Sequence, residues 1–251
     1  MISLDGIRRV PFGHFTIPDD GDQRAGEKVV VCGYLIDHPD GLVLLDTGIA
    51  EGHEEVEELY HPVRRPLDEA LATAGVTTGD IRIVVNCHLH LDHCGGNPRF
   101  PDTPIFAQEI EFDAAHREED YPIVGLYDFP EAQYELHGGE ADVTTGVRVV
   151  PTPGHTPGHQ SLVVETDAGR VVLAGQAVNG ATDYGRAHYA SELRRSGSEE
   201  TVIVPEWING SRSSTPSWCC SPMTTPLGRR SCDPSQEIVM RPSSSMGKVG
   251  L

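Results

Sequence analysis

The chain has 251 residues, 38% of them hydrophobic and 23% charged, enough to bury a substantial core in one large domain or two small ones. No apolar run approaches the ~20 residues of a membrane helix, and residues 1–6 lack the basic and apolar blocks of a signal peptide, so a cytoplasmic protein is expected. Nineteen Lys and Arg against 38 Asp and Glu give a net charge of −19, a field that repels nucleic acid and anionic membranes and makes neither an expected partner.

Residues 29–36 form a β-branched apolar run, 37–41 read as a turn and 42–45 as a second run, which together predict a hairpin. Residues 66–75 carry Pro at a helix start, apolar side chains at helical spacing and Gly at the end. A short strand pattern at 81–85 runs directly into a histidine cluster. The acidic, aromatic stretch 109–130 reads as a surface helix and loop, with an insertion beside a pocket as the alternative. Weaker strand signals follow at 104–107, 147–150, 161–165 and 171–173, and residues 192–195 read as a helix end. Strands and helices alternate without a regular βαβ period, which predicts a mixed α/β (α+β) domain with two sheets.

The strongest chemical signal is His88-Leu89-His90-Leu91-Asp92-His93, followed by Cys94-Gly95-Gly96-Asn97. Three imidazoles and a carboxylate within six residues have the composition of a metal site, because neutral imidazole suits zinc and a carboxylate extends the shell. In an extended segment His88 and His90 share a side and reach one ion. Asp92 and His93 fall where the chain turns toward a helix, in reach of a second ion or of its water, and Gly95-Gly96 permits a tight turn there. A second segment, Thr152-Pro153-Gly154-His155-Thr156-Pro157-Gly158-His159-Gln160-Ser161, is a loop stiffened by prolines that presents one imidazole rigidly. It supplies the third nitrogen that a tetrahedral zinc takes before water fills the fourth position. Cys87 and Cys94 flank the cluster and could perturb it, but they read first as small buried packing residues. These residues alone support metal-assisted hydrolysis of an ester, thioester or amide.

The His88-x-His90-x-Asp92-His93 motif, the preceding Asp46-Thr47-Gly48 and the loop around His155 resemble the metallo-β-lactamase superfamily over about residues 10–210. The run from His155 to Ser161 is similar to that of its N-acyl-homoserine lactonase group. The resemblance implies a four-layer αββα sandwich with one or two zinc ions in a cleft at one edge of the sheets. It implies that His88, His90 and His155 bind the first zinc, that Asp92 and His93 belong to the second, and that Asp46 and His159 hold the site in place. Asp46 reads equally as a turn cap. The implied reaction is attack of zinc-bound hydroxide on a lactone carbonyl, with Asp92 protonating the departing ring oxygen. A thioester or other ester substrate, and a metal-binding pseudoenzyme with a defective second site, are the alternatives.

The chain departs from that pattern in three places. Gln176 stands where the family has an Asp bridging two metals, and a neutral amide brings no charge to offset two dications. Asn179 stands where lactonases have a Tyr. The family's last histidine ligand has no counterpart, since no His follows His188. The composition also changes there: residues 211–251 contain ten Ser and five Pro and carry a net +3, leaving −22 for residues 1–210. Trp and Met have single codons, which fixes part of the DNA for residues 218–224. Read from the last base of each codon, it permits L-V-L-F-S-H-D, the strand and ligand of the family. We therefore expect a one-base frame slip at residues 208–210, so that 1–210 form a C-terminally incomplete hydrolase domain and 211–251 a disordered Ser/Pro/Arg-rich tail under no packing constraint. Sequencing the gene tests this: codons unable to give His before that Asp would sink it.

Overall fold

The computed structural model describes residues 1–19, 24–178, 184–185 and 218–220, the last three through their backbone. Among the described residues twelve strands lie in two sheets: β1 (Ile7–Thr16), β2 (Lys28–Ile36), β3 (Leu42–Leu45), β4 (Val63–Arg64), β5 (Ile81–Val85), β6 (Pro104–Gln108), β7 (Gln133–His137), β8 (Ala141–Thr144), β9 (Val147–Pro151), β10 (Gln160–Thr166), β11 (Gly169–Leu173) and β12 (Trp218–Cys220). The larger sheet has the order β4-β1-β2-β3-β5-β6-β7 and the smaller β12-β11-β10-β9-β8. The helices among the described residues are short: α1 (Glu54–Tyr60), α2 (Leu67–Thr73) and α3 (Glu109–Ala115).

Period-two alternation decides what each strand buries. Tyr34, Ile36, Val43, Leu45 and Val85 point from the larger sheet into a core shared with Val147, Val149, Leu162, Val164, Val171 and Leu173 of the smaller one. The intervening Leu35, Leu44 and Val84 face the other way, against Leu67, Ala70 and Leu71 of α2. Two sheets packed face to face with helices outside are the expected mixed α/β sandwich; the fourth layer lies outside the described residues. The predicted hairpin forms, with Tyr34 opposite Leu45. The strand signals at 81–85, 104–107, 147–150, 161–165 and 171–173 become β5, β6, β9, β10 and β11, and the helix at 66–75 becomes α2 with Pro66 at its N-cap.

Two expectations need correction. The stretch 109–130 is more than a surface helix and loop, because Glu111, Tyr121, Leu126 and Tyr127 are all at most 5% exposed and pack beneath the histidine cluster. The tail is not wholly without strand: β12 pairs parallel to β11, Trp218 opposite Val171 and Cys220 opposite Leu173. The expected helix end at 192–195 and Asn179 lie outside the described residues.

The topology gathers the chemistry at one edge. β3 and β5 are parallel neighbours, so Asp46 and the segment from Asn86 leave the larger sheet side by side. β9 and β11 run the same way, each antiparallel to β10, and deliver the His155 loop and Gln176 to that edge from the smaller sheet.

Candidate metal centre

After β5 the chain stays close to the residues that follow β3. Thr47 N donates to His93 O at 2.7 Å, Ala50 N to Leu91 O at 2.8 Å and Gly95 N to Gly48 O at 2.9 Å. The expected tight turn forms at Gly95-Gly96, with Asn97 N donating to Cys94 O at 2.9 Å, and Gly95 has a further reason: a Cβ there would sit 2.1 Å from Ala50 N, so backbone approach requires the glycine. Beyond it the chain enters a single 3-10 turn, Asn97–Arg99, where a longer helix was expected.

Three of the predicted ligands converge. His88 Nε2 lies 3.1 Å from His90 Nδ1, which lies 3.1 Å from His155 Nε2. Two nitrogens on one tetrahedral zinc, each bonded at ~2.0–2.1 Å, stand ~3.3 Å apart. The donor set therefore fits an ion at its centre, and neutral imidazoles are what an ion needs. Burial, with neighbouring positive charge from His93, holds His88 well below the usual histidine range. Burial followed by His155 brings His90 down to about 3, and burial followed by His93 brings His155 to about 4.

Asp92 and His93 form a second group beside the first, with His93 Nε2 3.3 Å from Asp92 Oδ2. His93 Nδ1 donates to Asp46 Oδ2 at 2.9 Å, which aims Nε2 inward, where it is buried without a hydrogen-bond partner. Burial works against charge on His93, but Cys87, Asp92 and Asp46 raise it well above its ordinary value. Burial pushes the Asp92 carboxyl up, yet the charge of His93 beside it brings it to about 2. Asp46 reaches across the fold rather than capping its own turn. Its backbone is left-handed, at φ 62, and its Oδ1 accepts from Cys87 N at 2.8 Å while Oδ2 orients His93.

His159 does not face the convergence point. Its Nδ1 pairs with Thr152 Oγ1 at 2.8 Å and its Nε2 accepts from Gln176 N at 3.0 Å, so the ring positions the backbone of Gln176. Gln176 Oε1 is buried and has no hydrogen-bond partner, in a residue that lines the same cleft as His90, Asp92 and His155.

One residue acts here that sequence reasoning missed. Glu111, 1% exposed, accepts from Leu89 N and Tyr121 Oη through Oε1 at 2.9 and 2.8 Å. Through Oε2 it accepts from Thr156 Oγ1 and Gly158 N at 2.7 and 3.0 Å. One carboxylate thus ties the His88–His93 segment to the His155 loop, and a Cβ at Gly158 would lie 2.4 Å from Glu111 N. Cys87 is buried as expected, yet it does more than pack. Its sulfur lies 3.1 Å from Asp46 Oδ2, 3.1 Å from His88 Nδ1 and 3.2 Å from His93 Nδ1. Burial and the Asp46 charge push its thiol up to about 12, which keeps the hydrogen on sulfur.

The cluster floors an open cleft of about 1010 Å³. Apolar side chains of Phe15, Val56, Leu59, Tyr60, Ile123 and Val124 line it, together with the carboxylates of Glu54, Glu55, Glu119 and Asp120. No Lys or Arg does so among the described residues.

An N-acyl homoserine lactonase of a Bacillus species is 36% identical over 152 residues, which are 56% of this chain and 60% of that protein. The lactonase AttM of Azorhizobium caulinodans is 32% identical over 166 residues, covering 56% and 61%. The chain thus spans about 60% of the length of the curated relatives it matches. A crystal structure of an AiiA variant from B. thuringiensis, with N-decanoyl-L-homoserine bound at its active site, superposes with a TM-score of 0.63 at 27% identity, over 82% of this chain and 84% of that one. The family model described as "Metallo-beta-lactamase superfamily" matches residues 29–197, and with the sandwich and the histidine motif this places the chain in that superfamily.

Proposed function

We propose that the chain is a metal-dependent hydrolase that opens the lactone ring of N-acyl homoserine lactones, as the names of its relatives suggest, with zinc as its metal. The observation that carries the proposal is the convergence of His88 Nε2, His90 Nδ1 and His155 Nε2 at 3.1 Å spacing on the floor of a partly apolar cleft. These three hold the first ion, and Asp92 and His93 offer a weaker second position. An ion there supplies acidification of water toward a pKa of ~7 and polarisation of a carbonyl.

The side chains do the rest. Asp46 accepts the Nδ1 hydrogen of His93 and so leaves its Nε2 lone pair for the ion. Asp92, ionised at neutral pH, takes the proton of the attacking water only transiently and passes it to the departing ring oxygen. The apolar lining from Phe15 to Val124 suits an acyl chain. The acidic lining of Glu54, Glu55, Glu119 and Asp120 disfavours multiply anionic substrates such as coenzyme A thioesters, and this separates the lactone from the thioester reading.

One observation favours a second reading, a zinc-binding protein without turnover: Gln176 brings no charge to the place where two cations would share a ligand. Zinc content measured beside turnover of an acyl homoserine lactone, with an acyl-coenzyme A control, decides among them. Lactone cleavage that disappears in His90→Ala supports the hydrolase. About one zinc per chain without turnover supports the second reading, and preference for the thioester overturns the substrate assignment.

A further inference from the structure

We propose that Cys87 is a positioning residue whose buried sulfur orients two of the proposed metal ligands at once, accepting the Nδ1 hydrogen of His88 and giving its own hydrogen to Asp46 Oδ2, the carboxylate oxygen that holds His93.

A histidine that gives Nε2 to an ion carries its hydrogen on Nδ1, and a buried N–H needs an acceptor. His88 is fully buried, and the one partner found for its Nδ1 is Cys87 Sγ at 3.1 Å. The thiol has one hydrogen of its own, and Asp46 Oδ2 at 3.1 Å is the acceptor that faces it. Asp46 Oδ2 also takes the Nδ1 hydrogen of His93 at 2.9 Å, while its Oδ1 takes Cys87 N at 2.8 Å. The chain His88–Cys87–Asp46–His93 is therefore continuous and buried throughout, and it joins a ligand of the first position to one of the second. A purely apolar residue at 87 would leave the His88 Nδ1 hydrogen without a partner.

The competing role for this sulfur is direct ligation, since Cys87, His88 and His159, and also Asp46, Cys87 and His93, offer ligand atoms within 4.8 Å of one another. The hydrogen bonds oppose it. Sγ faces the Nδ1 atoms of His88 and His93, whereas the atoms that meet His90 and Asp92 are their Nε2 atoms. Both ring nitrogens of His159 are already engaged, by Thr152 and by Gln176 N.

The inference rests on the metal-site reading above, and one set of titrations separates the two. Metal-free full-length wild type, Cys87→Ala, Cys87→Val and Cys87→Ser are titrated with zinc against a chromophoric chelator, then with cobalt(II) while the absorption spectrum is followed. Thermal melts of the metal-free proteins confirm folding, and Cys87→Val keeps the volume should Cys87→Ala not fold. Loss of the sulfur in Ala or Val weakens zinc binding about 10–100-fold, and Cys87→Ser, which can accept and donate in the same place, restores it to within a few fold. The cobalt spectrum of the wild type shows no sulfur-to-metal charge-transfer band. Wild-type affinity in folded Ala and Val variants overturns the positioning role and leaves the metal site standing. A charge-transfer band that vanishes in Cys87→Ser overturns it in favour of ligation, and a wild type that takes up no zinc overturns both readings.

Discussion

The two halves of the candidate centre are built to different standards. The first, His88, His90 and His155, brings three neutral imidazoles from two loops to one point, and burial keeps them unprotonated. The second, Asp92 and His93, is a charged pair held between Asp46 on one side and the cleft on the other, and the neutral amide of Gln176 lines that cleft with Asp92. An ion enters the first half without displacing a proton. To enter the second it must expel the Nε2 hydrogen from an imidazole that its carboxylate neighbours hold protonated. One fold edge therefore carries a strong and a weak position, and the weakness lies in charge more than in geometry.

Removing a ligand from the strong half is the largest perturbation. His90→Ala should bring bound zinc and lactone turnover to background, read by metal analysis and product formation; retained stoichiometric zinc would place the ion elsewhere. Cutting the tie between the two loops comes next. Glu111→Ala strands four donors, one of them the Tyr121 hydroxyl, and should cost about 3 kcal/mol. That is ~6–12 °C in the melting midpoint of the metal-free protein. A loss below about 1 kcal/mol would show that the loops stand without the carboxylate.

That tie marks the limit of what the sequence disclosed. The six-residue cluster and the Pro- and Gly-rich loop were legible because metal ligation needs a rare composition in a short span, and strands β2, β3, β5, β6, β9, β10 and β11 because their apolar runs are written locally. Glu111 was not legible. It sits among other acids in residues 109–113, and its partners lie 10 to 47 residues away. Cys87 reads as a small apolar residue until Asp46, 41 positions earlier, is folded against it. Strand β1 was hidden by Pro11 and Gly13, at which its pairing with β2 shifts register. Strand β7 was hidden by its polar, largely exposed edge pattern. Gly95 sits in the turn that was expected, but sequence reports that a glycine is present and not that a neighbouring backbone requires it as well.

The halves also respond to pH with opposite signs. His90 and His155 titrate at about 3 and 4 when folded and near ~6.5 when unfolded, so below ~6.5 the unfolded chain binds more protons. Their contribution is complete above ~6.5 and erodes as the pH falls toward about 3. His93, raised when folded, contributes fully below ~6.5 and loses its contribution as the pH rises through its folded value. Melting of the metal-free protein should thus fall steadily from pH ~6.5 to pH ~4. In His90→Ala the acid-side fall should be shallower, because one of the depressed groups is gone. A midpoint that rises on acidification would show that the imidazoles are not held neutral by burial.

The smallest expected change tests whether charge is what the weak half lacks. Gln176→Asp shortens the side chain by one methylene and replaces a buried, unpartnered amide oxygen with a carboxylate, on a backbone that His159 fixes through Gln176 N. Without metal the new charge shares the cleft with Asp92, and repulsion should lower stability by about 1 kcal/mol or less. With zinc the same charge offsets a second dication, and content should rise from about one ion per chain toward about two. Affinity for the first ion should move by no more than a few fold, because His88, His90 and His155 are untouched. If the second ion still does not bind, charge at 176 is not sufficient, and the shortage is one of donors: Asp92 and His93 alone cannot close a shell that needs four.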